Sequence, residues 1–156
     1  MRTLSFELRP SSVGHFGLAL SLRQDVESLG NQLGIGVDFY ADQESPYDLS
    51  ETVQTAVYRV AHAALTNIVH HAEANHISVV MRKRGQRLHV LVEDDGSGFD
   101  PDTVLQGPVE ARFGLLAMEE RLRSVDGDLG VESAMGEGTT IYIDVPLRGS
   151  GSESGE

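Results

Sequence analysis

Alternating apolar and polar residues predict five strands, and apolar residues at helical spacing predict three helices between them. The first helix can be capped by Ser11 or Ser12, and Gly34 and Gly36 end it. The second covers Leu49 to Glu73, and the third runs from Gly114 to Gly127. The predicted strands are residues 35–40, 77–83, 87–94, 128–134 and 139–145. Helices and strands in this order favour an α+β two-layer sandwich, with the helices on one face of a mixed sheet.

The first ten and the last eight residues have sequence patterns that differ from those of the rest of the chain. Leu4 and Leu8 have helical spacing before Pro10, which predicts the end of a helix that begins upstream. The last eight residues are only glycine, serine and glutamate, a composition typical of disorder. We therefore expect the end of a connector helix, one folded domain and a disordered tail, at residues 1–10, 11–147 and 148–156.

The composition restricts the classes of partner. With 12 basic and 24 acidic residues in 156, the formal net charge is −12, and such a surface repels nucleic acid. Nucleic acid is therefore not expected as a partner. The chain has no cysteine, which excludes disulfides and is compatible with a reducing compartment. No apolar run approaches the ~18 residues of a membrane span.

Candidate chemistry is concentrated where the third predicted strand ends. Asp94 is followed by Gly96 and Gly98, and glycine readily adopts the backbone angles of a tight loop. A buried aspartate at a strand end can accept hydrogen bonds from an exocyclic amine such as that of adenine. Successive N–H groups in such a loop can face an anion. An ordinary Asp-Gly turn has the same pattern, so this motif alone leaves both interpretations open.

Three further motifs accompany this one in a fixed order along the chain. The four are Asn67, Asp94-x-Gly96-x-Gly98, Gly114-Leu115-Leu116-Ala117-Met118 and Gly136-x-Gly138-Thr139. Together they resemble the nucleotide-binding motifs of the histidine-kinase ATP-binding domain, whose superfamily includes Hsp90-type and gyrase-type ATPases. Leu8-Arg9-Pro10 and Tyr58-Arg59-Val60 are similar to the sensor kinases that signal to helix-turn-helix response regulators. The resemblance covers about Phe6 to Leu147 and implies the Bergerat-type fold, with about three helices on one face of a mixed sheet.

The resemblance also implies that ATP is bound together with Mg²⁺. Asn67 matches the asparagine that holds the magnesium, and its amide oxygen suits that ion, although an exposed polar helix residue is the alternative. Asp94 matches the acid that recognises the adenine amine, and Gly96 and Gly98 match the glycines that shape the pocket. Thr139 matches a threonine that supports the adenine; β-propensity alone is its alternative.

Other residues match positions near the phosphates. Gly114 and Leu115 match the start of the helix beside the lid, where unpaired N–H groups favour an anion. Arg112 could clamp a phosphate or could be a solvated loop charge. His70 and His71 stand where the family usually has Lys-His, and histidine is charged at pH 7 only if its pKa is raised.

Ala63 is the largest departure from the family, because the usual residue at this position is a glutamate that polarises the attacking group. The chain therefore has no certain catalytic residue. His62 lies about 140° around the helix from Asn67, so we expect it to point away from the nucleotide. Ala117 and Glu119 also replace the usual glycine and arginine.

By resemblance the chain is the ATP-binding catalytic domain of a two-component sensor histidine kinase, cytoplasmic or the cytoplasmic part of a membrane-anchored sensor. It would transfer the γ-phosphoryl group of ATP to a histidine, and a cognate response regulator would receive it. No histidine precedes His15, so we expect the phosphoacceptor and dimerisation segment upstream, with this fragment monomeric and the full-length protein a homodimer. One alternative, favoured by Ala63, is a degenerate module that binds ATP or ADP without phosphotransfer. The other, a serine kinase of the anti-sigma-factor type, is disfavoured by Leu8-Arg9-Pro10.

Overall fold

The predicted order of helices and strands is confirmed. The computed structural model describes residues 17–43, 47–68, 74–97, 109–134 and 136–148, without the side chains of 109–113. Within these residues lie α1 (Leu18–Leu33), β1 (Gly36–Ala41), α2 (Glu51–Asn67), β2 (His76–Arg84), β3 (Arg87–Asp94), α3 (Val109–Arg123), β4 (Asp128–Ser133) and β5 (Thr139–Pro146). The connector expected at 1–10 lies outside the described residues, as does the tail expected at 148–156 except for its first residue, Arg148.

The strands form one mixed sheet in the order β1-β2-β3-β5-β4. β1 pairs with β2 in parallel, and the other three pairs are antiparallel. Side chains alternate between the two faces; in β3, Leu88, Val90 and Val92 are buried while their neighbours are partly or fully exposed. The helices cover the buried face, which confirms the predicted two-layer sandwich.

Each helix presents one apolar side to this face. Leu22 and Leu29 of α1 and Val57 and Leu65 of α2 are fully buried. α2 begins two residues later than predicted, because the Ser50 side chain caps it by accepting the Val53 N–H at 3.2 Å. Among the described residues no helix is both long and apolar enough to cross a membrane.

The predicted start of α3 was wrong. The helix begins at Val109, so Gly114 lies inside it. A glycine inside a helix costs only about 0.5–1 kcal/mol relative to alanine, too little to end a helix that continues on both sides. The N–H of Gly114 is therefore not one of the unpaired groups at a helix start.

Tyr58 joins α2 to α1 through a buried hydrogen bond. It is 1% exposed, and its hydroxyl donates to Asp25 Oδ2 at 2.6 Å. Replacing Tyr58 with phenylalanine removes a donor from a carboxylate that is itself buried, so we expect a loss of about 1–3 kcal/mol in unfolding free energy. Urea denaturation at fixed pH measures this loss. Tyr40→Phe is the control, because Tyr40 is 51% exposed and its substitution should change stability by less than about 0.5 kcal/mol. Equal effects of the two substitutions would refute the role of the buried bond.

Candidate functional site

Asp94 is a carboxylate in a row of otherwise apolar side chains. It follows Leu88, Val90 and Val92 on the buried face of β3 and is 6% exposed. Its Oδ1 accepts the Gly96 N–H at 2.7 Å. Burial raises the pKa of the carboxyl; the Gly96 and Thr139 N–H groups lower it, and the charges of Asp95 and Glu93 raise it. A carboxylate held by two backbone N–H groups keeps lone pairs that can accept from a ligand.

The sheet register places two hydroxyls beside Asp94. Thr139 lies opposite Asp94 on β5, and Ser133 lies opposite Thr139 on β4. The Ser133 hydroxyl donates to the Gly138 carbonyl at 2.9 Å and lies 2.8 Å from Thr139 Oγ1. Asp94, Thr139 and Ser133 therefore form one polar row on the helix-covered face, which we call the polar row. Ser133 was not among the residues predicted from the sequence, because its position depends on pairing between strands.

The two glycine-containing motifs meet at this end of the sheet. Gly138 has a φ of +83°, and a Cβ placed on it would lie 2.1 Å from the Asp94 carbonyl oxygen. The Gly136 N–H donates to the Ser97 carbonyl at 2.6 Å. The loop after β3 and the turn before β5 are thus in direct backbone contact, and Gly138 is required for the closest approach.

Asp95 has a different role from its neighbour Asp94. Its Oδ1 accepts the N–H groups of Asn75 at 2.8 Å and His76 at 3.0 Å. Both hydrogen bonds lower the pKa of the Asp95 carboxyl, and the bond from Asn75 has the larger effect. Asp95 therefore attaches the loop after β3 to the start of β2, while Asp94 faces the covered side.

α2 brings Asn67 to the same end of the sheet. The Arg148 N–H donates to the Asp48 carbonyl at 2.6 Å, which places the start of α2 beyond the opposite end of β5. Seventeen helical residues span about 25 Å at 1.5 Å each, which matches the length of an eight-residue strand. Asn67 is the last residue of α2 and is exposed, so its amide oxygen is available to a ligand at this end.

The side chains of Ala63 and His62 point in different directions from α2, as expected from the helical geometry. Ala63 lies one turn before Asn67, is half-buried and packs against the core. His62 is 8% exposed, and its ring lies 6.0 Å from that of Tyr58, on the core side of α2. His62 therefore points away from the exposed Asn67 and does not replace a carboxylate at position 63.

Several predicted site residues fall outside the described part of the chain. These are His70, His71 and Gly98, together with the side chain of Arg112. Leu115 is half-buried and packs against the core, while Leu116 is 43% exposed. In the part of the chain that the structure describes, no group of three histidine, cysteine or acidic side chains could hold a metal ion. A magnesium ion here would take one oxygen from Asn67 and the rest from phosphate and water, which is the coordination this ion accepts.

Comparison with known proteins agrees with this geometry. Residues 52–149 match the family described as histidine kinase-, DNA gyrase B-, and HSP90-like ATPase. An uncharacterized sensor-like histidine kinase of Chloroflexus aurantiacus is 37% identical over 151 residues, which cover 94% of this chain and 25% of that protein. The signal transduction histidine-protein kinase/phosphatase DegS of Brevibacillus brevis is 31% identical over 147 residues, 94% of this chain and 37% of that protein. The chain thus spans well under half of the curated relatives it matches.

Solved structures share the fold. The histidine kinase domain of the Erythrobacter litoralis EL346 blue-light activated histidine kinase has a TM-score of 0.62 at 25% identity, over 88% of this chain and 63% of that one. The catalytic domain of histidine kinase ThkA has a TM-score of 0.63 at 14% identity, over 83% of this chain and 90% of that one, which supports the fold alone. The resemblance that the motifs indicated is confirmed, and the chain belongs to the family of histidine kinase-, DNA gyrase B- and HSP90-like ATPases.

Proposed function

We propose that this chain is the ATP-binding catalytic domain of a two-component sensor histidine kinase. It binds ATP with Mg²⁺ and passes the γ-phosphoryl group to a histidine on an upstream dimerisation segment, from which a response regulator receives it. The observation that carries the proposal is the polar row, in which a buried carboxylate and two hydroxyls line the helix-covered face beside two contacting glycine motifs.

The residues have distinct roles in this proposal. Asp94 accepts a hydrogen bond from the exocyclic amine of adenine. Gly96 and Gly138 allow the backbone of their own loops to lie close to Asp94. Thr139 and Ser133 support the ring edge directly or through water. Asn67 supplies one oxygen to the Mg²⁺ that neutralises the phosphates. In the transfer step the bond between the γ-phosphorus and the β-phosphate oxygen breaks, a phosphorus–nitrogen bond forms, and ADP leaves.

A second candidate is a module that binds ATP or ADP and transfers no phosphate. Ala63 favours it, because a methyl group can neither accept a proton nor polarise water. General bases contribute about 10²–10⁴-fold. Phosphoryl transfer, however, relies mostly on positioning and charge neutralisation, so it does not require a carboxylate at position 63.

Calorimetric titration of the 156-residue chain with ATP, with and without Mg²⁺, tests the binding part of the proposal. We expect saturable binding that is tighter with Mg²⁺. No heat of binding from a folded sample in either condition would contradict it. GTP is the control ligand. Its ring has a carbonyl oxygen where adenine has the amine, so it offers Asp94 no hydrogen-bond donor at that position.

Restoring a carboxylate at position 63 separates the two candidates. In a longer protein that carries the upstream segment, we expect Ala63→Glu to speed phosphotransfer, at the low end of the ~10²–10⁴-fold attributed to general bases, because a neutral imidazole acceptor needs little help. Radiolabelled phosphate transfer in single-turnover assays measures the rate. Thr52→Glu, at an exposed position in the first turn of α2, adds the same charge and should have no effect. If neither the wild type nor Ala63→Glu transfers phosphate, the binding-only module is favoured over the kinase.

A further inference from the structure

Two hydroxyls of the polar row, on Ser133 and Thr139, form a hydrogen-bond chain with a fixed direction. The Ser133 oxygen lies 2.9 Å from the Gly138 carbonyl oxygen. A carbonyl oxygen only accepts, and a serine hydroxyl has a single hydrogen, so that hydrogen points at Gly138. The Ser133 oxygen also lies 2.8 Å from Thr139 Oγ1, and this contact needs a hydrogen as well. Only the Thr139 hydroxyl hydrogen remains to supply it, so Thr139 donates to Ser133.

The chain leaves Thr139 Oγ1 with lone pairs, but with no hydrogen for another partner. Any further group that contacts this oxygen therefore has to be a donor. Asp94 lies opposite Thr139 in the sheet, and its carboxylate is also an acceptor, which already binds backbone N–H groups. The side chains of the polar row thus offer a ligand two acceptors and no hydroxyl hydrogen. A water held between Asp94 and Thr139 would donate one hydrogen to each, so it too would present only lone pairs.

We propose that Ser133 is a positioning residue that makes the polar row selective for purines with an amino group at position 6. Ser133 acts through Thr139: it holds the Thr139 hydrogen, so that Thr139 accepts from the ligand directly or through water. The inference rests on the proposed function, because it requires a nucleotide base beside Asp94. A purine with a carbonyl oxygen at position 6 would bring another acceptor to the row, and a buried acceptor without a donor weakens binding.

Inosine triphosphate (ITP) is the probe, because its purine has a carbonyl oxygen at position 6 and a hydrogen on N1. Without the Ser133 hydroxyl, the Thr139 hydroxyl can rotate and donate to that carbonyl oxygen. We therefore expect Ser133→Ala to lower the ratio of the ITP to the ATP dissociation constant about 3- to 10-fold, the factor for one ordinary hydrogen bond. Calorimetric titration of the chain with each nucleotide and Mg²⁺ measures this ratio. Ser133→Thr keeps the hydroxyl and should keep the wild-type ratio.

The ratio distinguishes a positioning role of Ser133 from a role in stability alone. If Ser133 only stabilised the fold, Ser133→Ala would weaken the binding of ATP and ITP by the same factor, and an unchanged ratio would overturn the proposal. Ser78→Ala is the matched control. Ser78 is half-buried beside Glu93 at the same end of the sheet, but on the face that the helices leave uncovered. A change of ratio in Ser78→Ala as large as that in Ser133→Ala would also overturn the proposal.

The Thr139→Val background tests whether Ser133 acts through Thr139. Valine has nearly the shape of threonine but has no hydroxyl to be positioned. With Thr139→Val in place, Ser133→Ala should therefore have no further effect on the ratio of the two dissociation constants. A ratio that still falls in the double variant would mean that Ser133 contacts the base itself, and the positioning role would be wrong.

Urea denaturation of the same variants tests the hydrogen-bond chain without nucleotide. Because the two hydroxyls bond to each other, the double variant should lose less unfolding free energy than the sum of the two single losses. Additive losses would overturn the fixed direction of the chain. If the losses are coupled but the wild type binds neither ATP nor ITP, the proposed function fails and the selectivity fails with it. If the wild type binds ATP and the ratio is unchanged in Ser133→Ala, only the positioning role of Ser133 fails.

Discussion

Asp94→Asn is expected to weaken ATP binding by about 1–3 kcal/mol, or about 5- to 150-fold in dissociation constant. The Asp94 carboxylate already accepts the Gly96 N–H at 2.7 Å. An asparagine that keeps this bond with its oxygen must direct its NH₂ group toward the ligand. A donor would then face the adenine amine, another donor, in a site that is only 6% exposed. The unpaired buried donor accounts for the loss.

Asp95→Asn is the matched control. It removes the same charge from the adjacent residue, but the Asp95 side chain binds the N–H groups of Asn75 and His76, and an asparagine oxygen still accepts them. Calorimetric titration of both variants with ATP and Mg²⁺ should show a large loss for Asp94→Asn and little change for Asp95→Asn. If the two variants lose the same affinity, the effect is one of charge or loop structure, and Asp94 does not recognise adenine.

Asp94→Asn is also expected to change the stability of the chain, in the direction opposite to its effect on ATP affinity. Because burial raises the pKa of Asp94 in the folded chain, its contribution to stability is present at low pH and is lost as pH rises through the folded-state pKa. Asparagine has no charge to bury. In urea denaturation without nucleotide, Asp94→Asn should therefore gain stability relative to the wild type as pH rises from about 4 to neutrality. A stability difference between the variant and the wild type that stays constant, or shifts in favour of the wild type, as pH rises would contradict this.

The local pattern of apolar and polar residues predicted most of the fold, because it shows which residues face the core. The alternation from Leu88 through Val90 and Val92 gave β3 its observed bounds, Arg87–Asp94. α1 ended at Gly34 as expected, since its φ of +70° suits glycine. The helix start predicted at Gly114 was wrong because a single glycine is a weak breaker, and nothing local indicates that the residues before it continue the helix.

The candidate site was only partly predictable, because its residues come together through strand pairing. The motif at Asp94 to Gly98 identified the carboxylate, but not that Asp94 faces the covered side while Asp95 binds the start of β2. Ser133 has no motif of its own and joins the site only through its pairing with Thr139.

Gly138→Ala is expected to lower the free energy of unfolding by about 2–5 kcal/mol, the sum of backbone strain and steric overlap. At a φ of +83° an alanine is strained, and its Cβ would lie 2.1 Å from the Asp94 carbonyl oxygen. Because that oxygen belongs to the backbone of β3, no side-chain rotation relieves the overlap. The loop after β3 must move away from the turn before β5, and we expect ATP binding to be lost along with the stability.

Gly136→Ala separates the overlap from the strain. Gly136 has a φ of +80°, nearly that of Gly138, but no atom of the described residues lies within 4 Å of a Cβ placed there. Its cost should therefore be only the strain, about 1–2 kcal/mol, with ATP affinity largely kept. Urea denaturation and calorimetry on both variants measure the two effects. Equal losses would mean that the close approach of Gly138 to Asp94 is not what holds the two glycine motifs together. A selective loss in Gly138→Ala would show that the position of Asp94, and with it nucleotide recognition, depends on a residue 44 positions away in the sequence that contacts it through the backbone.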